Sequence, residues 1–509
     1  MLRGNRLAVL GTAAAGAVAL AGVAPPATAS PTASPTASPA ASPAAPSAPR
    51  SPSAVDWRAC GDDGRAECAT LRLPIDWSRP DGPAFGLAIA RRKALDPDAR
   101  VGTLVFGPGG PGDSGVQRVT RVENGIDRFS DELRRRFDIV SFDPRGIGAS
   151  HPVTCSADLL RAAPSPMIKS AAQFRATLDH NARLRADCRA RTGPLYDHAD
   201  TLSTVRDVDA IRAALGESKL TFHGSSYGTL LGEMYAETFP ERVRAMVLES
   251  VDDHSVPDAR RFLTSELAAA QDSFDQFAAW CGRTQECALH GRDVRAVWRG
   301  LRARAARGDL PDPSSPGAAL PEFGLVLMAY KSFYGPDWAG LASKLAALDA
   351  TPPLGSGSRP AAAPATGETA TDPFTAQFCS DWSLPVRDYG EYAKLMRRTE
   401  RVAPDMTFAR PVMAISACLG WPQPVRNPQH RLRVRGSAPI LLANAVHDPA
   451  TPHAWARNVA RQLGPTGRLL TYAGAGHGSY NRGPCMRNTI DAYLTALTLP
   501  PPGTTCPAV

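Results

Sequence analysis

The sequence predicts an α/β protein: a mostly parallel central sheet, helices on both of its faces, and a helical lid inserted into it. Three observations carry that expectation. Strand-like and helix-like segments alternate over residues 86–250 and again over 439–497, the pattern of a parallel sheet with helical crossovers. A helix-rich stretch without strands of that type, 255–435, separates the two runs. A serine with glycines two positions to either side stands where a strand gives way to a helix.

Along the chain, GLAIARRKA (86–94), GTLVFGPGG (102–110) and FDIVSFDPRG (137–146) read as strands; the second ends in a glycine loop and the third in a turn. Over 200–216, Val205, Val208, Ile211, Ala214 and Leu215 recur at helical spacing, so one face of that helix should be buried. KLTFHG (219–224) is a short strand, SYGTLLGEMYAETFP begins a helix at its end, and AMVLES (245–250) is the next strand. The lid carries helices such as DARRFLTSELAAAQDSFDQFAAWC and a Pro/Ala/Gly-rich stretch at 352–372. PILLANA (439–445), a helix at 453–463, RLLTYAG (468–474) and a last helix at 485–497 complete the sheet. The expected organisation is a core in two parts, 55–254 and 436–509, with 255–435 as the lid.

Residues 1–29 have the form of an export signal: the basic start MLRGNR, an apolar stretch of small residues, and Ala27-Thr28-Ala29 as cleavage site. Residues 30–54 repeat Ala-Ser-Pro and should form an extended linker, since they have little apolar surface to bury. The expected location is extracellular, with no stable membrane insertion once the signal is removed. All ten cysteines follow the signal, and an even number in an exported chain implies disulfides. Their order suggests five sequential pairs: Cys60 with Cys68, Cys155 with Cys188, Cys281 with Cys287, Cys379 with Cys418, and Cys485 with Cys506. No Cys/His spacing of a metal site appears, and no metal is expected. The net charge of +8 is spread in short runs such as ELRRRF (132–137) and RLRVRG (431–436), and no nucleic-acid partner is expected.

The chemistry centres on Gly224-Ser225-Ser226-Tyr227-Gly228. A serine hydroxyl is a weak nucleophile and needs a base beside it and donors for the oxyanion it creates. A G-x-S-x-G segment between strand and helix places its serine on a strained turn above the sheet edge, and only Ser226 has glycines at both offsets. The base is expected at His477, in the small-residue loop GAGHG after a late strand. His447 is its competitor, but it adjoins the favoured acid and would point away from it. That acid is Asp448, giving the chain order Ser, Asp, His of the α/β-hydrolase fold. Its rivals are Asp252, Asp253 and Asp143, the last better suited to organising the turn DPRGIG by pairing with Arg145. For the oxyanion hole, backbone N–H groups are expected from Tyr227 and from Gly109, with Gly110 as the alternative. This set needs no cofactor.

With these residues in place, the chain resembles the secreted tripeptidyl-aminopeptidase-like hydrolases of actinobacteria, within the proline-iminopeptidase group. The resemblance runs through GPGGPGDSG, FDIVSFDPRGIGAS, FHGSSYGTLLGEMYAETFPERVRAMVLESV, FCSDW (378–382), CLGWP (418–422), and HDPATP leading to GAGHGSY. It implies Ser226, Asp448 and His477 as catalytic triad, and Gly109 and Tyr227 as oxyanion donors. The chain departs from the group at Pro108, where histidine is usual, and at Glu249-Ser250-Val251, where Asp-Gly-Val is usual.

The implied activity is that of a serine exopeptidase releasing short peptides, tripeptides by the resemblance, from free N-termini. The alternative is an esterase or lipase-type hydrolase of small molecules using the same residues. An aminopeptidase must hold a free ammonium group, which calls for a carboxylate at the site. Asp381, Glu249, Asp252 and Asp253 are the candidates. The lid segment FGLVLMAYKSFYGPDW (323–338) suits either substrate class.

Overall fold

The computed structural model describes residues 55–354 and 367–509; the expected signal, linker and the middle of 352–372 lie outside them. Twelve strands appear among the described residues: β1 (Arg58–Cys60), β2 (Ala66–Pro74), β3 (Ala84–Arg92), β4 (Gly102–Gly107), β5 (Phe137–Phe142), β6 (Thr154–Ser156), β7 (Leu220–Ser225), β8 (Val243–Glu249), β9 (Thr369–Thr371), β10 (Ile440–His447), β11 (Gly467–Ala475) and β12 (Thr505–Cys506). Ten form one sheet in the order β1-β2-β3-β5-β4-β7-β8-β10-β11-β12. It is parallel from β5 to β12, and β1, β2 and β3 add an antiparallel edge. The edge strands β1 and β2 lie ahead of the first strand expected from the sequence.

The central strands β4, β7 and β8 are nearly continuous in buried residues, as a sheet covered on both faces requires. One face packs Val205, Val208 and Ile211 of the helix Thr201–Ala214 against Phe222 and Met246. The other packs Ile490, Tyr493 and Leu494 of the last helix against Ala245, Val247 and Leu441. Chain order jumps from β8 to β10 within the sheet, and the helices Ala259–Arg283 through Arg410–Ala417 fill that interval. They bury their own core, including Phe262, Phe274, Trp298, Tyr330 and Trp382.

The helix Ala171–Thr192, from a stretch expected to belong to the core, joins this helical layer. Its Phe174 packs into the same cluster, and Asn181 donates to the carbonyls of Ser416 and Leu419 at 2.8 and 3.0 Å.

The ten cysteines form five disulfides. Cys60 pairs with Cys68 and so ties β1 to β2, while Cys155 of β6 pairs with Cys188 of the helix Ala171–Thr192. Within the helical layer Cys281 pairs with Cys287, and Cys379 with Cys418. Cys485, at the start of the last helix, pairs with Cys506 of β12. None of these cysteines is left as a free thiol. No described helix is long and apolar enough to cross a membrane.

The turn after β5 departs from expectation. Asp143 does organise it, accepting from the Ser114 hydroxyl at 2.5 Å and the N–H groups of Val116 and Ala149 at 3.0 and 2.9 Å. Arg145 instead reaches Asp207, with two bonds of 2.7 and 2.6 Å, and both side chains are fully buried. The physical reason is geometric satisfaction. A buried guanidinium needs many acceptors, and this one also finds the carbonyls of Ile75, His198 and Pro74.

Candidate active site

Ser226 follows β7 and caps the helix Tyr227–Thr238 with φ 56° and ψ −126°. That conformation is sparsely populated for a residue with a side chain and is held only where the surroundings over-determine it. They do so here: the Ser226 N–H donates to the Glu249 carbonyl at 2.9 Å, and its carbonyl accepts from Thr229 N–H and Oγ1 at 2.8 and 2.7 Å. A Cβ on Gly224 would strike the Gly228 carbonyl, and one on Gly228 would strike the Gly107 carbonyl. Both flanking glycines are therefore demanded by close backbone approach. Gly109 lies alongside, where a Cβ would come within 3.0 Å of the Ser226 Cβ. Gly110 takes φ 109°, so the loop expected to supply an oxyanion donor does border the serine.

Asp448, at the end of β10, meets His477 from the loop after β11. The His477 Nδ1 lies 2.9 Å from Asp448 Oδ1 and 3.1 Å from Oδ2, with side-chain exposures of 9% and 0%. Ser250 Oγ, Ala450 N, Thr451 N and Thr451 Oγ1 also donate to the carboxylate at 2.8–3.0 Å. Burial alone would raise the Asp448 carboxyl; the imidazole and these donors outweigh it and hold it below its ordinary value. Burial would likewise depress His477, yet the Asp448 carboxylate prevails and raises it. His477 is also pinned from the helical layer. Its N–H donates to the Tyr334 carbonyl at 2.8 Å, and the two rings lie 4.7 Å apart.

The imidazole and Ser226 line one cavity of about 1100 Å³, although no hydrogen bond joins their side chains in this structure. Its competitor His447 faces Asp272, 2.7 Å away. Ser250, marked in sequence only as a departure from the family pattern, has φ 56° and links acid to base, accepting from Gly478 N–H at 2.8 Å while donating to Asp448.

Comparison with known proteins places the chain in a family. A family described as "alpha/beta hydrolase fold" matches residues 102–345, which hold Ser226, and one described as "TAP-like protein" matches 405–506, which hold Asp448 and His477. The chain is 32% identical over 469 residues to the tripeptidyl aminopeptidase of Streptomyces lividans, covering 87% of this chain and 84% of that one. The chain belongs to the tripeptidyl-aminopeptidase-like α/β hydrolases. It is also 31% identical over 494 residues to serine protease Hip1 of Mycobacterium tuberculosis, covering 90% and 92% of the two chains. Carboxylesterase B of the same species is 30% identical over 484 residues, covering 91% of each. The protein is a serine hydrolase.

The four carboxylates expected to hold an ammonium group meet different fates in this member of the family. Asp381 is fully enclosed and accepts from Thr201 N and Oγ1, Tyr227 OH and Asn427 Nδ2 at 2.5–3.2 Å. Asp253 is taken up by Ser255, Asn458 and Gln462. Glu249 pairs with His223 Nε2 at 3.1 Å and accepts the Tyr480 N–H. Asp252 alone of the four has no side-chain partner among the described residues. It lines a small pocket beside Ser226 and Tyr227, walled by Phe262, Phe374 and Phe378.

Glu266 joins Asp252 there, also without a hydrogen-bonded or ion-paired partner among the described residues. Burial pushes Asp252 up to about 7 and drives Glu266 well above its ordinary range. Arg410 lines the same pocket, but its guanidinium is engaged by the Gly110 carbonyl at 2.7 Å. Sequence reasoning missed Glu266 because it is one charge among several on a long helix. Its signal was position: it shares the apolar stripe of Phe262, Leu263, Leu267 and Ala270.

Proposed function

We propose that this chain is a secreted serine exopeptidase that releases short peptides, tripeptides in the first instance, from free N-termini. Ser226 Oγ attacks the scissile carbonyl while His477 takes its proton, and Asp448 holds the imidazole in one tautomer and stabilises its charged form. The N–H groups of Tyr227 and Gly109, or Gly110 in its place, receive the oxyanion. His477 then protonates the leaving amine, and water resolves the acyl-enzyme.

The observation that carries the exopeptidase reading is the pair of unpartnered carboxylates, Asp252 and Glu266, in the pocket beside Ser226. Burial disfavours their charged forms, and an arriving ammonium group would restore them. Export is supported by the basic, apolar N-terminus and Ala27-Thr28-Ala29, together with five disulfides that suit an oxidising compartment. The relative named for tripeptidyl aminopeptidase activity supports the length of the released fragment.

The relative named carboxylesterase B and the three-phenylalanine wall favour a second reading, hydrolysis of small esters. Three substrates separate the two: a tripeptide anilide with a free amine, its N-acetylated form, and a p-nitrophenyl ester. The exopeptidase reading expects kcat/KM for the free amine to exceed that of the acetylated form by at least about 100-fold, as for an ammonium held by a buried carboxylate. Equal values would overturn it.

A further inference from the structure

We infer that the part of the cavity on the His477 side of Ser226 is a carboxylate-binding subsite, built by Arg118, Arg128, Arg482 and Arg487, for the leaving portion of the substrate. This rests on the peptidase reading above and specifies its substrate: a short peptide whose leaving portion carries a carboxylate.

All four arginines line the cavity that holds Ser226 and His477. None lies within 4.0 Å of a carboxylate among the described residues. Their protein partners are neutral. Arg118 reaches the Asn124 carbonyl at 3.4 Å and lies over the Phe106 ring at 5.1 Å. Arg482 donates to the carbonyls of Gly478 and Tyr334 at 3.3 and 2.9 Å. Arg487 donates to Asn481 Oδ1 at 3.2 Å, and its buried Nε has no partner among the described residues. Asn481 in turn donates to the Arg128 carbonyl at 3.1 Å, which ties the segment bearing Arg128 to the one bearing Arg482 and Arg487.

The acids of the same cavity act on this group only from a distance, and none pairs with one of its guanidiniums among the described residues. Glu249 is taken by His223 and Tyr480, Asp127 accepts the Asn124 N–H at 3.1 Å, and Asp113 borders the Gly109–Gly110 turn. Lys331 adds a further cation to the lining, and Arg410 another where the cavity meets the Asp252 pocket, neither in an ion pair among the described residues. Burial lowers Arg118 and Arg482 and outweighs the more distant carboxylates, Glu249 for both and Asp113 and Asp127 for Arg118, that favour their charged forms. Partly desolvated cations without an anion are costly, and a planar guanidinium matches a carboxylate through two parallel hydrogen bonds.

The side of the cleft follows from the chemistry. His477 delivers its proton to the leaving amine, so the leaving portion lies on the imidazole side, and Arg482 is fixed there by its bond to Gly478. The unpartnered Asp252 and Glu266 line the adjoining pocket beside Tyr227, which shares Gly110, Ser226 and Arg410 with the cavity. The cleft is thus polarised, with carboxylates for the ammonium end of a peptide and guanidiniums for a carboxylate beyond the scissile bond. That carboxylate can be the α-carboxylate of a one- or two-residue leaving portion, or an acidic side chain within it.

Two peptide pairs distinguish these sources: Ala-Ala-Ala-Ala as free acid against its C-terminal amide, and Ala-Ala-Ala-Glu-amide against Ala-Ala-Ala-Gln-amide. Products are followed by mass spectrometry, with rates normalised to sites titrated by a fluorophosphonate. The expected result is at least a tenfold higher kcat/KM for the charged member of one pair or both, carried mainly by KM. The pair with the larger ratio names the source. In the double variant Arg128→Gln/Arg487→Gln, the ratio falls toward one. Ratios near one in both pairs for the native enzyme, or a ratio unmoved in the double variant, would overturn the assignment. Failure of the peptidase reading looks different: no peptide is cut although the serine labels. The subsite is then read with 4-acetoxybenzoate against 4-acetoxybenzamide, where preference for the anion supports it and equal rates reject it.

Discussion

Arg145 and Arg487 are the same residue type in two opposite situations. Arg145, under the turn after β5, is fully buried, paired twice with Asp207 and bonded to three carbonyls. Arg487, at the cavity, has among the described residues one neutral side-chain partner and a buried Nε with none. The carboxylates divide in the same way. Asp381 accepts four hydrogen bonds, whereas Asp252 and Glu266 accept none from any described side chain. Groups that hold the fold together are satisfied by the protein itself, because an unsatisfied buried charge would unfold it. Arg487, Asp252 and Glu266, which lack such partners among the described residues, line the cavity and pocket beside Ser226, where a substrate can supply one.

The comparison can be broken by substitutions on either side of it. The largest effect is expected at the serine. Ser226→Ala should lower kcat by about 10⁶-fold with little change in melting temperature, read by steady-state kinetics and calorimetry. Next comes Arg145→Met, which strands the Asp207 carboxylate and should cost about 3–5 kcal/mol of stability. Arg128→Gln should change stability by no more than about 0.5 kcal/mol, as an exposed, unpaired residue does. Denaturant titration of both variants checks the contrast, and equal losses would erase it.

Asp252→Asn and Glu266→Gln should each raise KM for a free-amine substrate by roughly 10–100-fold, in the range of a lost charge-assisted contact. The N-acetylated substrate should be nearly indifferent. The smallest effect is on pH dependence. Both His477 and Asp252 are held above their ordinary values, and both must lose a proton to work. Free-amine kcat/KM should therefore climb as pH rises through the His477 ionisation and through about 7, where Asp252 titrates. It should decline above about 8, as the substrate's own α-amino group deprotonates. A p-nitrophenyl ester should show the His477 limb alone. Identical profiles for both substrates would remove Asp252 from substrate binding.

Much of this was legible in the chain. The parallel strands and their helices could be read because their apolar runs have a period and a length that a covered sheet imposes. G-x-S-x-G could be read because two backbone approaches forbid a side chain at Gly224 and Gly228. Other features depend on contacts between distant segments and leave no local mark. Asp207 answers Arg145 across 62 positions, where the sequence offered Asp143 close by. The helix Ala171–Thr192 joins the helical layer through Asn181 and is anchored to β6 by the disulfide between Cys155 and Cys188, though it precedes β7. Asp381, Asp253 and Asp252 look alike as letters, and only their surroundings show that the third has no side-chain partner among the described residues. The arginine group draws on three segments, each with an unremarkable charge.

The proposed chemistry requires that Ser226 be the residue that His477 and Asp448 make reactive. Treating the enzyme with a fluorophosphonate and mapping the adduct by peptide mass spectrometry tests it directly. The prediction is one adduct per chain, on the peptide containing Ser226, lost in His477→Ala and absent from Ser226→Ala. Labelling at another residue, or undiminished labelling of Ser226 without the imidazole, would contradict it.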